Sequence, residues 1–149
     1  MTKKKRVIEA RFQFRPEYAI GEPVVDEQHR YLVDLANVLH EAVVIGKAHT
    51  IIDYAFQALQ FYTSTHFEYE EAFFARIASP LLAVHRAEHL DLQRELNEMW
   101  ETRDKVEMSV LGAEIQQWVE DRLLPHMIID DRKALKGARR PAQGGKVKT

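Results

Sequence analysis

Histidines interrupt the apolar stripes of this sequence at positions where a helix would place core residues. Five of its seven histidines, together with one glutamate, fall on these faces or at their ends: His29, His66, Glu70, His85, His89 and His126. Because residues four apart share one face of a helix, His66 and Glu70 should point inward together, and so should His85 and His89. The chain must therefore fold so that several imidazoles meet in one interior.

Apolar periodicity and the residues that end helices predict four helices in this chain. They cover residues 26–46, 50–79 (or 53–79), 80–99 and 107–125. The short loops between them favour antiparallel neighbours. The predicted fold class is therefore all-α, an up-down-up-down antiparallel four-helix bundle with an extended N-terminal arm before Asp26.

Length and charge limit the domain organisation and the partners. At 149 residues the chain suits one compact domain, which we place at 12–135. A basic, flexible segment is expected at 1–11 and a basic, disordered tail at 136–149. The stretch 7–131 holds all 23 acidic residues but only 10 of the 21 basic ones. Such an acidic body argues against nucleic acid as a partner.

The sequence also limits the type of site and the location of the protein. The chain has no cysteine, which excludes disulfides, zinc–thiolate sites and iron–sulfur clusters. Its basic start has no long apolar run behind it, so we expect neither a secretory signal nor a membrane span. The expected location is the cytoplasm.

A metal centre accounts for the inward polar residues better than structural burial does. A single histidine on an apolar face is more often a hydrogen-bonded core residue, but several buried imidazoles and carboxylates without partners would cost several kcal/mol. Asp131 completes the predicted set, although it follows His126 by five residues, a spacing that does not share a helical face. We expect Pro125 to break the fourth helix, so that a bent chain returns Asp131 to the centre.

The number and type of ligands narrow the choice of metal. Seven ligands exceed the four that a tetrahedral zinc requires, whereas two ions that share Glu70 and Asp131 as bridges would use all of them. The Glu-x-x-His pairs of carboxylate-rich di-iron enzymes are absent from the sequence. A centre richer in imidazole should stabilise reduced ions, which favours reversible binding over oxygenation.

These residues together resemble the signature of the hemerythrin family in order and spacing. The matching segments are Asp26-Glu27-Gln28-His29, His66-Phe67-Glu68-Tyr69-Glu70-Glu71, His85-Arg86-Ala87-Glu88-His89, and His126 with Asp131. The lead-in from Phe14 to Gly21 is similar to that of the bacterial branch, the bacteriohemerythrins. The resemblance covers residues 12–135, and members of the family are four-helix bundles.

The resemblance implies a non-heme di-iron protein that binds dioxygen reversibly, for storage, delivery or sensing, rather than an enzyme. Two iron ions (Fe2+/Fe3+) would share Glu70, Asp131 and a bridging oxo or hydroxo group. One iron would be completed by His85, His89 and His126. The other would be held by His29 and His66, with one position open. Four apolar side chains would line the dioxygen pocket: Leu32, Phe67, Leu123 and Met127.

Two positions depart from the family pattern, in which tryptophan is frequent at both. Phe14 should preserve the packing there. Arg122 could admit water to the pocket, bring a positive charge near bound anions, or point outward and pair with an acid. Trp118, one turn earlier, could fill the vacated space, although core packing is its ordinary role.

Two further classes of function stay open at this point. The same centre could serve a di-iron enzyme, such as a peroxidase, a ferroxidase or a protein that handles nitric oxide. Alternatively, the metal could be structural and have no redox role. The three classes differ in the fate of dioxygen. A carrier releases it unchanged, an enzyme goes to a ferric form as it turns over a substrate, and a structural metal has no redox reaction with it.

Overall fold

The computed structural model describes residues 10–144, and these form helices with no strand among them. The four helices that make the bundle are α1 (Pro23–Val44), α2 (His49–Arg76), α3 (Leu82–Thr102) and α4 (Met108–Trp118). A short 3-10 turn, Pro16–Tyr18, precedes them. The predicted all-helical bundle is therefore confirmed.

The contacts between neighbouring helices show that the two helices of each pair run in opposite directions. On each pair of helices, an early residue of one meets a late residue of the other: Gln28 with His66 and Tyr31 with Tyr62, Phe56 with Trp100 and Gln60 with Asn97, Glu88 with His126 and Glu95 with Arg122. This pairing is the one that an up-down-up-down bundle with short loops requires.

Helix α1 begins at Pro23, three residues before the start predicted from Asp26. Proline suits the first turn of a helix because its missing N–H would have no partner there. The Glu22 carboxylate caps the helix by accepting the Val25 N–H at 2.7 Å. Asp26 instead accepts the N–H groups of Ile20 and Gly21, at 2.8 and 3.1 Å, and so holds the incoming chain.

The arm before α1 packs along the bundle through backbone hydrogen bonds. The Phe12 N–H donates to Asn37 Oδ1, and Asn37 Nδ2 donates back to the Phe12 carbonyl, each at 2.7 Å. The Phe12 ring is buried in the main core. Farther along, Arg132 donates to the carbonyls of Glu17 and Ala19. Residues 1–9, most of the predicted flexible segment, lie outside the described range.

The fourth helix does not break at Pro125, contrary to the prediction. Pro125 keeps helical backbone angles between two π-helical stretches, Val119–Leu123 and His126–Asp130. In a π-helix the hydrogen bonds join residues i and i+5, so the backbone around the missing N–H of Pro125 stays helical with a changed hydrogen-bond spacing. The chain then continues directly into α5, Asp131–Gly144.

The tail predicted to be disordered from residue 136 is helical as far as it is described. Helix α5 extends to Gly144, and residues 145–149 lie outside the described range. Its first turns are fixed because Ala134 and Leu135 pack into a core cluster with Ile20, Val25 and Phe74. The Ser79 hydroxyl also donates to the Ala134 carbonyl at 2.8 Å.

The apolar core is divided by a polar layer. On α2, Leu59 belongs to the main cluster and Phe74 to a smaller second cluster, with His66 and Glu70 between them in sequence. The main cluster fills the bundle from the layer to the α1–α2 turn, while the second cluster closes the end near α5. Apolar packing thus flanks the polar layer on both sides.

Within residues 10–144, no helix is both long enough and apolar enough to cross a membrane. Helix α2 is the longest at 28 residues, but it carries Asp53 near its start and four charged side chains in its last third, Glu68, Glu70, Glu71 and Arg76. The cytoplasmic location expected from the sequence stays a prediction.

We expect Asn37→Ala to lower the free energy of unfolding by about 1–3 kcal/mol, because it leaves the N–H and carbonyl of Phe12 without their partners. Urea unfolding of the metal-free protein, followed by circular dichroism, measures this change. Val38→Ala is a matched control, since Val38 is exposed on the same helix. Equal unfolding midpoints for the two variants would contradict a stabilising role for the arm.

Candidate metal centre

The structure brings all seven predicted ligands together in one buried layer. Their ligand atoms form two overlapping groups, each with mutual distances within 4.8 Å. The larger group contains Glu70, His85, His89, His126 and Asp131. The smaller group contains His29, His66, Glu70 and Asp131. Glu70 and Asp131 therefore belong to both groups.

Each shared carboxylate divides its two oxygens between the groups. Glu70 Oε2 lies 3.1 Å from His66 Nε2, while Glu70 Oε1 lies 2.9 and 3.0 Å from the Nε2 atoms of His85 and His89. Asp131 Oδ2 lies 2.8 Å from His29 Nε2. The other oxygen, Asp131 Oδ1, contacts His85. It also lies 3.3 Å from His126 Nε2. Each carboxylate therefore contacts both groups of histidines, one through each of its oxygens.

Several atoms of the layer are buried without a hydrogen-bond partner in the described part of the chain. Those that face the smaller group are His29 Nε2, His66 Nε2, Glu70 Oε2 and Asp131 Oδ2. They approach one another closely, yet without hydrogen-bond geometry. Atoms that converge in this way fit a cation between them, because a metal ion would satisfy all of their lone pairs. A mixed imidazole and carboxylate set is suitable for iron.

Polar side chains outside the layer fix three of the imidazoles. Gln28 Oε1 lies 2.6 Å from His66 Nδ1, Glu71 Oε2 lies 2.9 Å from His89 Nδ1, and Glu88 Oε2 lies 3.1 Å from His126 Nδ1. An acceptor at Nδ1 draws the proton to that nitrogen, so Nε2 keeps its lone pair for a metal.

The sequence analysis missed the role of these three acceptors. Each is adjacent in sequence to a ligand, as Gln28 is to His29, but it bonds to a ligand on a different helix. The i, i+4 spacing that identifies ligands says nothing about contacts between helices. The sequence did offer one signal for these acceptors, which is that each is a polar residue directly beside a predicted ligand.

The π-helical stretch explains how Asp131 reaches the centre. His126 and Asp131 are five residues apart, which is the repeat of the stretch His126–Asp130. The two side chains therefore share a face of a continuous helix. The predicted location of Asp131 in the centre agrees with the structure, and a continuous helix rather than a break at Pro125 brings it there.

Comparison with known proteins agrees with this geometry. The family model described as Hemerythrin HHE cation binding domain matches residues 21–132. A bacteriohemerythrin of Pseudomonas paraeruginosa (strain DSM 24068 / PA7) is 30% identical over 111 residues, which is 74% of this chain and 71% of that protein. The chain belongs to the hemerythrin family. It lies in the bacteriohemerythrin branch of a family of di-iron, oxygen-binding proteins.

Burial and carboxylates move the histidine pKa values of this hemerythrin in opposite directions. Burial lowers the pKa of His29, but Asp131 and Glu70 outweigh it and raise the pKa to about 9. The same balance raises the pKa of His85 to about 9. At His66 burial prevails and lowers the pKa. Because metals bind neutral imidazole, a cation must displace the protons of His29 and His85.

The four residues predicted to line a dioxygen pocket are all buried in the main core cluster: Leu32, Phe67, Leu123 and Met127. The Phe67 ring stacks on the His89 ring with centroids 3.9 Å apart and planes 3° from parallel. The apolar cluster therefore lies directly against His89, one of the predicted ligands.

The two residues that depart from the family pattern have ordinary packing roles. Arg122 Nε donates to both carboxylate oxygens of Glu95, at 2.9 and 3.0 Å, and the arginine side chain is half exposed. It thus points outward and pairs with an acid, one of the three possibilities. Trp118 is buried in the main core, and Phe14 packs at its edge.

We expect His85→Ala and Glu70→Ala each to lose most of the bound iron, since each removes a ligand and leaves the opposing charges uncompensated. Metal analysis after anaerobic reconstitution and gel filtration gives the iron content per chain. His49→Ala is the control, because His49 is exposed and outside both groups. Full iron retention by both ligand variants would sink the assignment of the centre.

We expect Gln28→Leu to weaken metal affinity by about 10–100-fold, because His66 loses the acceptor that orients it. Gln28→Glu keeps an acceptor at that position and should stay close to the wild type. Competition for ferrous iron with a chelator of known affinity measures both. Equal affinities for the two variants would show that the contact does not orient His66.

Proposed function

We propose that this hemerythrin binds dioxygen reversibly at two iron ions, the step on which storage, delivery and sensing all depend. One ion would be held by His85, His89 and His126. The other would be held by His29 and His66. Glu70 and Asp131 would bridge them, together with an oxo or hydroxo group from solvent.

The division of the carboxylate oxygens is the observation that carries this proposal. A single cation would use one oxygen of Glu70 or hold both at one point, whereas here Oε1 and Oε2 face histidines of different groups. Asp131 repeats the pattern with Oδ1 and Oδ2. Two carboxylates that each serve two groups of imidazoles support a pair of metals at short separation.

The two groups contain unequal numbers of histidines, which favours binding of dioxygen at one of the two iron ions. Three histidines and two carboxylates belong to the larger group, but only two histidines and the same carboxylates belong to the smaller one. The ion beside His29 and His66 would therefore keep a free coordination position. When bound, an iron pair supplies dioxygen with that position and with two electrons that return on release.

The four apolar side chains predicted to line the pocket form an apolar wall. This wall would exclude water and protons from the bound ligand. Leu32, Phe67, Leu123 and Met127 offer no hydrogen-bonding side-chain group to solvent. Water in such a pocket would lose hydrogen bonds, so it stays in bulk solvent. Protons that cannot reach the ligand cannot drive it off in reduced form, and release as dioxygen stays possible.

We expect anaerobic reconstitution with ferrous iron, followed by exposure to air, to produce visible charge-transfer bands that vanish when dioxygen is removed. Several cycles in one cuvette measure reversibility. The Glu70→Ala variant, which lacks a bridge, should produce no such bands and serves as the negative control.

Other outcomes would point to the alternative functions. Irreversible conversion to a ferric form with turnover of peroxide, ferrous iron or nitric oxide would replace the carrier with a di-iron enzyme. Tightly bound zinc and no bands after iron treatment would indicate a structural metal. Either result would reject reversible dioxygen binding.

A further inference from the structure

One buried hydroxyl of α2, three residues before His66, has no partner in the described chain. Thr63 is fully buried on α2, and its Oγ1 neither donates nor accepts a hydrogen bond there. Burying a hydroxyl without a partner is unfavourable, whereas valine has nearly the same shape and no such group. Something that binds the hydroxyl would account for its presence.

The local helix does not supply that partner. A threonine in a helix commonly turns its hydroxyl back to the carbonyl one turn earlier. Thr65, two residues along the same helix, does this and donates to the Phe61 carbonyl at 2.9 Å. The Thr63 hydroxyl makes no equivalent bond to its own helix. It is therefore available to a group in the bundle interior.

The position of Thr63 points to the proposed dioxygen pocket. It precedes His66 by three residues and Phe67 by four, so it lies on their face of α2, about 4.5–6 Å away along the helix axis. On α1, which runs in the opposite direction, Leu32 follows His29 by three residues. Thr63 and Leu32 therefore lie on the same side of the ligand layer, where the apolar wall is.

All other buried residues of α2 have an evident role. His66 and Glu70 belong to the centre. The buried apolar side chains belong to the core clusters: Ile52, Phe56, Leu59, Phe67 and Phe74. Thr63 is the one buried polar residue of this helix outside the two metal-ligand groups.

We propose that the Thr63 hydroxyl donates a hydrogen bond to the small ligand that enters the pocket beside His66. This role rests on the proposed dioxygen binding and adds a polar contact to a wall otherwise made of apolar side chains. The ligand class is a small molecule that carries negative charge when bound, such as dioxygen after electron uptake or the azide anion. A hydrogen bond to a charged acceptor is stronger than one between neutral groups.

Azide binding to the ferric protein tests this contact directly, with Thr63→Val as the main variant and Thr63→Ser as the variant that keeps the hydroxyl. We expect the azide dissociation constant to rise about tenfold or more in Thr63→Val, the loss of one charge-assisted hydrogen bond. Thr63→Ser should return it close to the wild-type value. The rate of dioxygen release should rise in Thr63→Val as well.

Unfolding of the metal-free variants provides a readout that does not depend on the metal. We expect the urea midpoint of Thr63→Val to equal or exceed that of the wild type, since no protein hydrogen bond is lost. Thr65→Val is the matched control on the same helix, and its midpoint should stay close to that of the wild type because Thr65 is exposed. A midpoint for Thr63→Val below the wild type would show a structural partner and overturn the proposal.

The failure of this inference is distinguishable from the failure of the proposed function. If Thr63→Val holds iron and binds azide with unchanged affinity, the hydroxyl has no ligand role, although reversible dioxygen binding can still hold. If the wild-type protein shows no reversible bands with dioxygen, the proposed function fails, whereas a weaker azide affinity of Thr63→Val would still show the contact with a bound anion.

Discussion

The burial of five imidazoles and two carboxylates in one layer is the constraint on which the rest of the structure depends. Such a layer is tolerable only if its lone pairs and charges are satisfied together. The four helices therefore run side by side, because ligands from α1, α2, α3 and the π-helical continuation of α4 must meet at one level. Apolar clusters above and below then keep water from the layer.

Orientation of the ligands depends on contacts between helices rather than within them. The acceptors at the Nδ1 atoms come from a neighbouring helix, as Gln28 of α1 does for His66 of α2. Each such contact sets a proton position and also fixes the relative height of two helices. Packing and metal-site geometry are thus coupled, so a shift of one helix would move a ligand and its acceptor apart.

Sequence reasoning expected the seven predicted ligands to meet because six of them interrupt or end an apolar stripe, a signal that one helix contains by itself. It expected a break at Pro125 to bring Asp131 to the centre, whereas the structure has a π-helical stretch there that residue spacing alone does not reveal. It also placed the start of α1 late, because a proline and a capping glutamate extend the helix past its apolar stripe. Sequence reasoning did not find the Glu95 partner of Arg122 or the acceptors of the imidazoles, because these residues lie on other helices.

The two core clusters imply that the bundle and the centre depend on metal to different degrees. Buried apolar side chains such as Phe56, Leu59 and Leu96 lie in the main cluster away from the ligands, and their burial stabilises the fold whether or not metal is present. In the metal-free layer, protons on His29 and His85 offset part of the carboxylate charge. Loss of metal should therefore disturb the layer, where only part of the charge is offset, before it disturbs the apolar clusters that hold the helices together.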